Sequence, residues 1–147
     1  MDTYLTELFT GVLEKLRDEV AKFKNEEDIW RTLNGVTNPA GTLVLHLVGN
    51  LKFTIGTQLG NTGYVRNREA EFSLKDVSRA ELLTYIDETL AVVKAALPNV
   101  GQAKLEEKYP LENLGSHNTA WYLSYFYGHV QYHLGQINYL RRILEAE

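Results

Sequence analysis

The sequence predicts an all-α fold in one domain, a four-helix bundle spanning residues 1–147. Three observations predict it. Four segments carry apolar residues at three- and four-residue steps, the period of a helix. No segment alternates apolar and polar residues as a half-buried strand would. The connections run to roughly 15–20 residues, longer than a bundle with tight turns needs, and would permit crossovers or build the rim of a site.

The first helix is predicted from about Thr3 to Lys24. Leu5, Phe9, Val12, Leu13, Leu16, Val20 and Phe23 make one apolar face, and Glu14, Lys15, Arg17 and Asp18 populate the others. The polar stretch that follows ends in Asn34-Gly35 and is expected to hold a helical turn around Ile29 and Trp30, with Trp30 as a lid on the core. Asn38 is the expected cap of the second helix and Pro39 its first residue, where no amide donor is needed. This helix runs to about Leu59 and stops near Gly60-Asn61. It is apolar around most of its circumference, the mark of a buried helix. Residues 60–77 are read as a loop with a charged centre, Arg66-Asn67-Arg68-Glu69-Ala70-Glu71-Phe72, in which Arg66, Arg68, Glu69 and Glu71 form a local ion-pair network. Ser78 and Glu81 make a capping box that starts the third helix, and Pro98 stops it. The fourth helix starts near Ser116 to Asn118 and runs almost to the C-terminus. Its aromatic residues include Tyr122, Tyr125 and Tyr132, which are read as core.

Several functions are excluded or disfavoured. A formal net charge of −4 argues against nucleic acid as a main partner, because phosphate binding needs a basic field. The pair Arg141-Arg142 falls near a helix end, where cations complement the helix dipole. With no cysteine there is no disulfide, no thiolate ligand and no cysteine nucleophile. The N-terminus is acidic where a secretory leader would be basic, and no apolar run reaches the ~20 residues of a membrane span. A cytoplasmic location is expected. No Walker, Gly-x-Ser-x-Gly or Gly-x-Gly-x-x-Gly pattern occurs.

The histidines carry the chemical information. His46 sits in the middle of the most apolar helix, and His129 and His133 lie four apart on the fourth. That spacing stacks two imidazoles one turn apart on one helix face. A pair so placed can chelate a divalent metal ion, and a third imidazole from a facing helix leaves a fourth position for water or substrate. Each buried ring nitrogen wants a partner, and leaving one without costs about 1–3 kcal/mol. The alternative is three ordinary core histidines, each hydrogen-bonded. Glu69 and Glu71 could approach such an ion from their loop, although the local ion-pair network is the preferred reading of both. Asn50, four residues after His46, and Gln136, seven after His129, are candidates for orienting ligands or substrate. His117 is read as a cap-region or surface residue.

Three pieces together resemble the DinB-like, or YfiT-like, superfamily of metal-dependent enzymes. They are Asn38-Pro39 followed by Leu45-His46-Leu47-Val48-Gly49-Asn50, the loop Arg66 to Phe72, and Gly128-His129-Val130-Gln131-Tyr132-His133-Leu134-Gly135-Gln136-Ile137. The resemblance implies a bundle with crossover connections, and a zinc or nickel ion held by His46, His129 and His133. It further implies a homodimer and a thiol-dependent transferase or isomerase that uses a low-molecular-weight thiol such as bacillithiol or mycothiol. A transferase acting on a small electrophile is the leading expectation. A metal-dependent hydrolase on the same site and a non-enzymatic, stress-related metal-binding dimer are the alternatives.

Overall fold

The computed structural model describes residues 3–147, which are helical with irregular connections and no strand. The acidic start was read partly from Met1 and Asp2, which lie outside the described residues. The elements in order are α1 (Thr3–Lys22), a 3-10 turn (Glu26–Trp30), α2 (Ala40–Leu51), a π-helical turn (Lys52–Thr57), α3 (Gln58–Gly60), α4 (Arg68–Ser73), α5 (Arg79–Ala96), a 3-10 turn (Leu97–Asn99), α6 (Gln102–Glu106) and α7 (Thr119–Glu145). Among the described residues no helix is long and apolar enough to cross a membrane.

The apolar stripe of α1 is buried as its spacing predicts, with Phe9, Leu13 and Leu16 fully covered. Helix α2 is covered along nearly its whole length. Its start differs from expectation. Pro39 is the N-cap, in an extended conformation, and its carbonyl accepts from Leu43 N–H. Asn38 then lies one residue outside the helix and makes no capping bond. At its far end α2 passes through the π turn into α3, and Asn61 ends the run in the left-handed region at φ 56°. The capping box of Ser78 and Glu81 starts α5, and Asn118 caps α7 by accepting from Trp121 N–H.

Four helical rods pack in the ring order α1, α5, α2 with α3, α7, around one apolar core. Side-chain pairs fix their directions. Arg17 meets Asp87 and Arg79 reaches the Phe23 carbonyl, so α1 and α5 are antiparallel. Lys52 meets Glu88 and Gly60 abuts Ala96, so α2 and α5 are parallel. Phe9 touches Tyr127 and Glu19 meets Asn138, so α1 and α7 are parallel. Parallel neighbours cannot be joined by a tight turn. Residues 61–78 therefore climb the length of the bundle, and α4, which the sequence reading took as loop, rides on this crossover against α2. Asn67 nucleates α4 by accepting from Ala70 N–H. At six residues α4 is too short for periodicity to reveal.

A candidate metal centre

His46 projects from the middle of α2 toward α7, where His129 and His133 lie one turn apart. His46 is 8% exposed, and the other two are half-buried. The Nε2 atoms of His46 and His129 are 3.2 Å apart, as are those of His133 and His129. One ring nitrogen from each of the three histidines lies within 4.8 Å of the others. The rings meet at 84° in all three pairings, so they approach a common point from three perpendicular planes. Nitrogens about 2.0–2.1 Å from a shared ion would stand roughly 2.9–3.4 Å apart, so the two short edges fit such an ion.

The far side of each ring decides which nitrogen carries the proton. His46 Nδ1 lies 3.1 Å from Glu71 Oε1, and His133 Nδ1 lies 2.7 Å from Gln136 Oε1. Carboxylate and amide oxygens accept, so both Nδ1 atoms donate and both Nε2 atoms present lone pairs. His129 Nε2 faces both lone pairs and can donate to only one of them. Protein atoms alone leave this convergence under-satisfied, and a cation at the centre satisfies all three nitrogens. The residues thus fit a divalent ion, and the neutral imidazole set suits zinc, nickel, copper or iron.

Electrostatics agree with the geometry. Burial, followed by the neighbouring His133, His46 and Arg66, pushes His129 down from 6.5 to about 4. Burial also lowers His133, against the hydrogen bond to Gln136. Rings that resist protonation keep lone pairs for a metal at neutral pH. Burial would raise Glu71, but the hydrogen bonds from His46 and Arg66 outweigh it and hold the carboxyl below its ordinary value.

Glu71, weighed from sequence as an approach to the metal and read in preference as a loop ion pair, does both in part: it pairs with Arg66 and backs His46 from behind the ring. Arg66 grips it with two bonds, Nε to Oε2 at 2.8 Å and Nη2 to Oε1 at 2.9 Å. The expected four-residue ion network reduces to this pair. Arg68 instead lies over the Phe72 ring, and Glu69 is exposed. Gly49 is part of the arrangement, because a Cβ there would overlap the Glu71 carboxylate. A glycine one turn beyond a buried histidine was the available signal. Gln136 holds His133. Asn50 touches none of the three imidazoles by hydrogen bond, and its buried Oδ1 has no partner. It lines a cleft of about 220 Å³ together with His46 and His129. A second cleft of about 510 Å³ reaches His133 and Gln136 from the other side. Tyr122 is core, whereas Tyr125 and Tyr132, read as core from sequence, are exposed, since they flank His129 and His133 and line the two clefts rather than the core. His117 is half-buried and stacks on Trp121 at 3.8 Å.

Fold and site together define an all-helical bundle with three imidazoles gathered as a candidate metal centre. The chain belongs to the family described as a protein of unknown function, DUF1572, which it matches over residues 3–147. No match is found among curated proteins.

Proposed function

We propose that this chain is a metal-dependent enzyme of the DinB-like kind, which transfers a small thiol to a small electrophile at an ion held by His46, His129 and His133. The observation that carries the reading is the convergence of three imidazole nitrogens, with the opposite nitrogens of His46 and His133 already tied to Glu71 and Gln136. A divalent ion in a neutral ligand set keeps its full charge and lowers the pKa of a thiol or water that it binds. Glu71 and Gln136 hold the rings in the ligating tautomer. Phe53, Leu111 and Phe126 give the adjoining cleft an apolar wall that limits water.

Two features separate this reading from its alternatives. Among the described residues no fourth histidine, aspartate or glutamate joins the three, so a position is left for an exogenous ligand, unlike a closed structural site. Hydrolysis through an ion-activated water would still call for a group in the cleft to pass a proton to the leaving group. The cleft is lined by no carboxylate, and Glu71 is committed to Arg66 and His46. A thiol held by the ion would ionise on binding, and its addition to an electrophile would make no such demand. Zinc or nickel as the ion, a homodimer and a cytoplasmic location belong to the same proposal.

The test is metal content by mass spectrometry on tag-free protein, wild type beside His46→Ala, followed by conjugation assays with and without added thiol. Near-stoichiometric metal that the variant lacks, with turnover only when thiol is present, supports the reading. Ester or amide hydrolysis without thiol would replace it with the hydrolase. A metal-free wild type, even after incubation with zinc or nickel, would end it.

A further inference from the structure

The cleft beside His46 and His129 differs in charge from the rest of the surface. Its lining includes Arg66 and Arg68 and no acidic residue, in a chain whose formal net charge is −4. Two further clefts do not share this character. The one between α1 and α7 mixes Lys15 and Lys22 with Asp18 and Glu19. The one reaching His133 has no charged wall beyond that histidine and is dominated by Leu33, Val36, Tyr132 and Tyr139.

The two arginines are not equivalent. Arg66 spends Nε and Nη2 on Glu71, which cancels its charge locally. Arg68 is exposed and makes no ion pair among the described residues. It lies over the face of Phe72, 5.0 Å from the guanidinium. A guanidinium with free donors at the mouth of a concave site is suited to a carboxylate, which it can meet with two parallel bonds. The unpartnered Oδ1 of Asn50 marks a carboxamide in the same cleft whose hydrogen bonding is incomplete within the protein. At about 220 Å³ the cleft is smaller than the ~300–1,000 Å³ of drug-sized pockets, so its occupant is metabolite-sized.

We propose that this cleft selects small organic anions with a short apolar body, and that Arg68 reads their charge while a second donor group of the same molecule meets the ion at the three histidines. The inference rests on the metal centre proposed above and adds the substrate class to it. A cation in a neutral imidazole set and the uncompensated Arg68 both repel cationic ligands. The wall of Phe53, Leu111 and Phe126 accommodates the carbon skeleton between the two polar ends.

The experiment uses protein loaded with cobalt(II), whose visible spectrum reports a change of ligand without any turnover. Malonate, succinate and glutarate are titrated beside their half-amides, which keep the size and lose one charge. A charge-assisted hydrogen bond contributes ~1.5–3 kcal/mol, so the best-fitting dianion should bind about tenfold or more tighter than its half-amide. Arg68→Gln should erase that difference and leave the half-amide affinity within about twofold, since the exposed Arg68 holds no other partner. Equal affinity of dianions and half-amides in the wild type would overturn the inference. So would a preference that survives in Arg68→Gln, or a variant that weakens every ligand alike. A wild type that holds no cobalt would remove the metal centre, and the inference with it. Cobalt that binds through the histidines without any charge preference would remove the inference alone.

Discussion

Glu19 and Glu71 are both buried carboxylates, 8% and 6% exposed, and each is seated against an arginine. Their surroundings diverge from there. Glu19, on α1, accepts from Asn138 at 2.7 Å and from Arg141 at 2.8 Å, and Arg141 passes its second bond to Glu145. Every group in that chain meets a protein partner, and the network closes between α1 and α7. Glu71 accepts from Arg66 and from His46 Nδ1, but the chain continues through the imidazole to the Nε2 lone pair, which meets two more imidazoles and has no donor of its own. A closed network fastens helices. An open one, ending in lone pairs at the edge of a cleft, is built to take something in.

The sharpest separation should come from stability. Glu19→Ala leaves Arg141 and Asn138 without their acceptor and should lower unfolding free energy by about 3 kcal/mol, read as a shift in denaturant midpoint. Metal content should not change. Loss of metal in that variant would break the distinction between the two networks.

Glu71→Ala should do the reverse in kind. Removing the acceptor behind a ligating histidine typically weakens metal affinity about 10–100-fold, and that is the expected loss in a competitive chelator titration. Gly49→Ala, which would displace the same carboxylate through its added Cβ, should weaken metal binding in the same direction. Unchanged affinity in both variants would mean that Glu71 merely anchors the crossover.

Acid should also tell the two apart in metal-free protein. His129 is depressed from 6.5 to about 4, chiefly by burial. A base whose folded pKa is lowered takes up its proton more readily when unfolded, so stability should fall as pH drops from about 6.5 toward 4 and then level off for that group. Burial opposes the shift of Glu19, yet the bonds from Arg141 and Asn138 hold it below 4.5. Its contribution is present above 4.5 and is lost only as pH falls through its folded value. Urea midpoints measured from pH 7 downward should show an early decline that His129→Gln reduces, leaving the smaller part due to His133, and that Glu19→Gln does not change.

The same contrast explains what could be read from the sequence. The His129–His133 pair, the α1 stripe, the Ser78–Glu81 box and the stop at Gly60-Asn61 are local signals, each contained within a turn or a helix period. His46, 83 residues from His129, joined the set as a third imidazole from a facing helix and through the family resemblance. Two of the three imidazoles sit on one helix, so their stacking follows from spacing alone. The partner of Arg141 is 122 residues away in sequence, and that of His46 is 25 away. Such pairings depend on ring order and on the rising crossover, which no local pattern encodes. Arg141 therefore read as a charge at a helix end, and Glu71 as a member of a solvated loop. The π turn also escaped notice, because its apolar pattern continues that of α2. Its Thr54 carbonyl is met instead by the Tyr109 hydroxyl at 2.7 Å, a bond from the distant 99–116 connection.

Gln136 tests how much an orienting partner matters when it is exposed. It holds His133 Nδ1 at 2.7 Å, a shorter contact than Glu71 makes to His46, but it is a neutral amide on the solvent side of α7. Water can replace it at little cost, whereas nothing can readily replace a carboxylate sealed beneath α4. Gln136→Ala should therefore weaken metal binding by only about twofold to tenfold, at or below the low end of the usual range. Gln136→Glu supplies a charged acceptor in place of the amide and should restore or raise the affinity. If Gln136→Ala instead matches Glu71→Ala in a chelator titration, burial is not what gives an acceptor its weight. The two sides of the centre would then be equal partners in fixing the imidazoles.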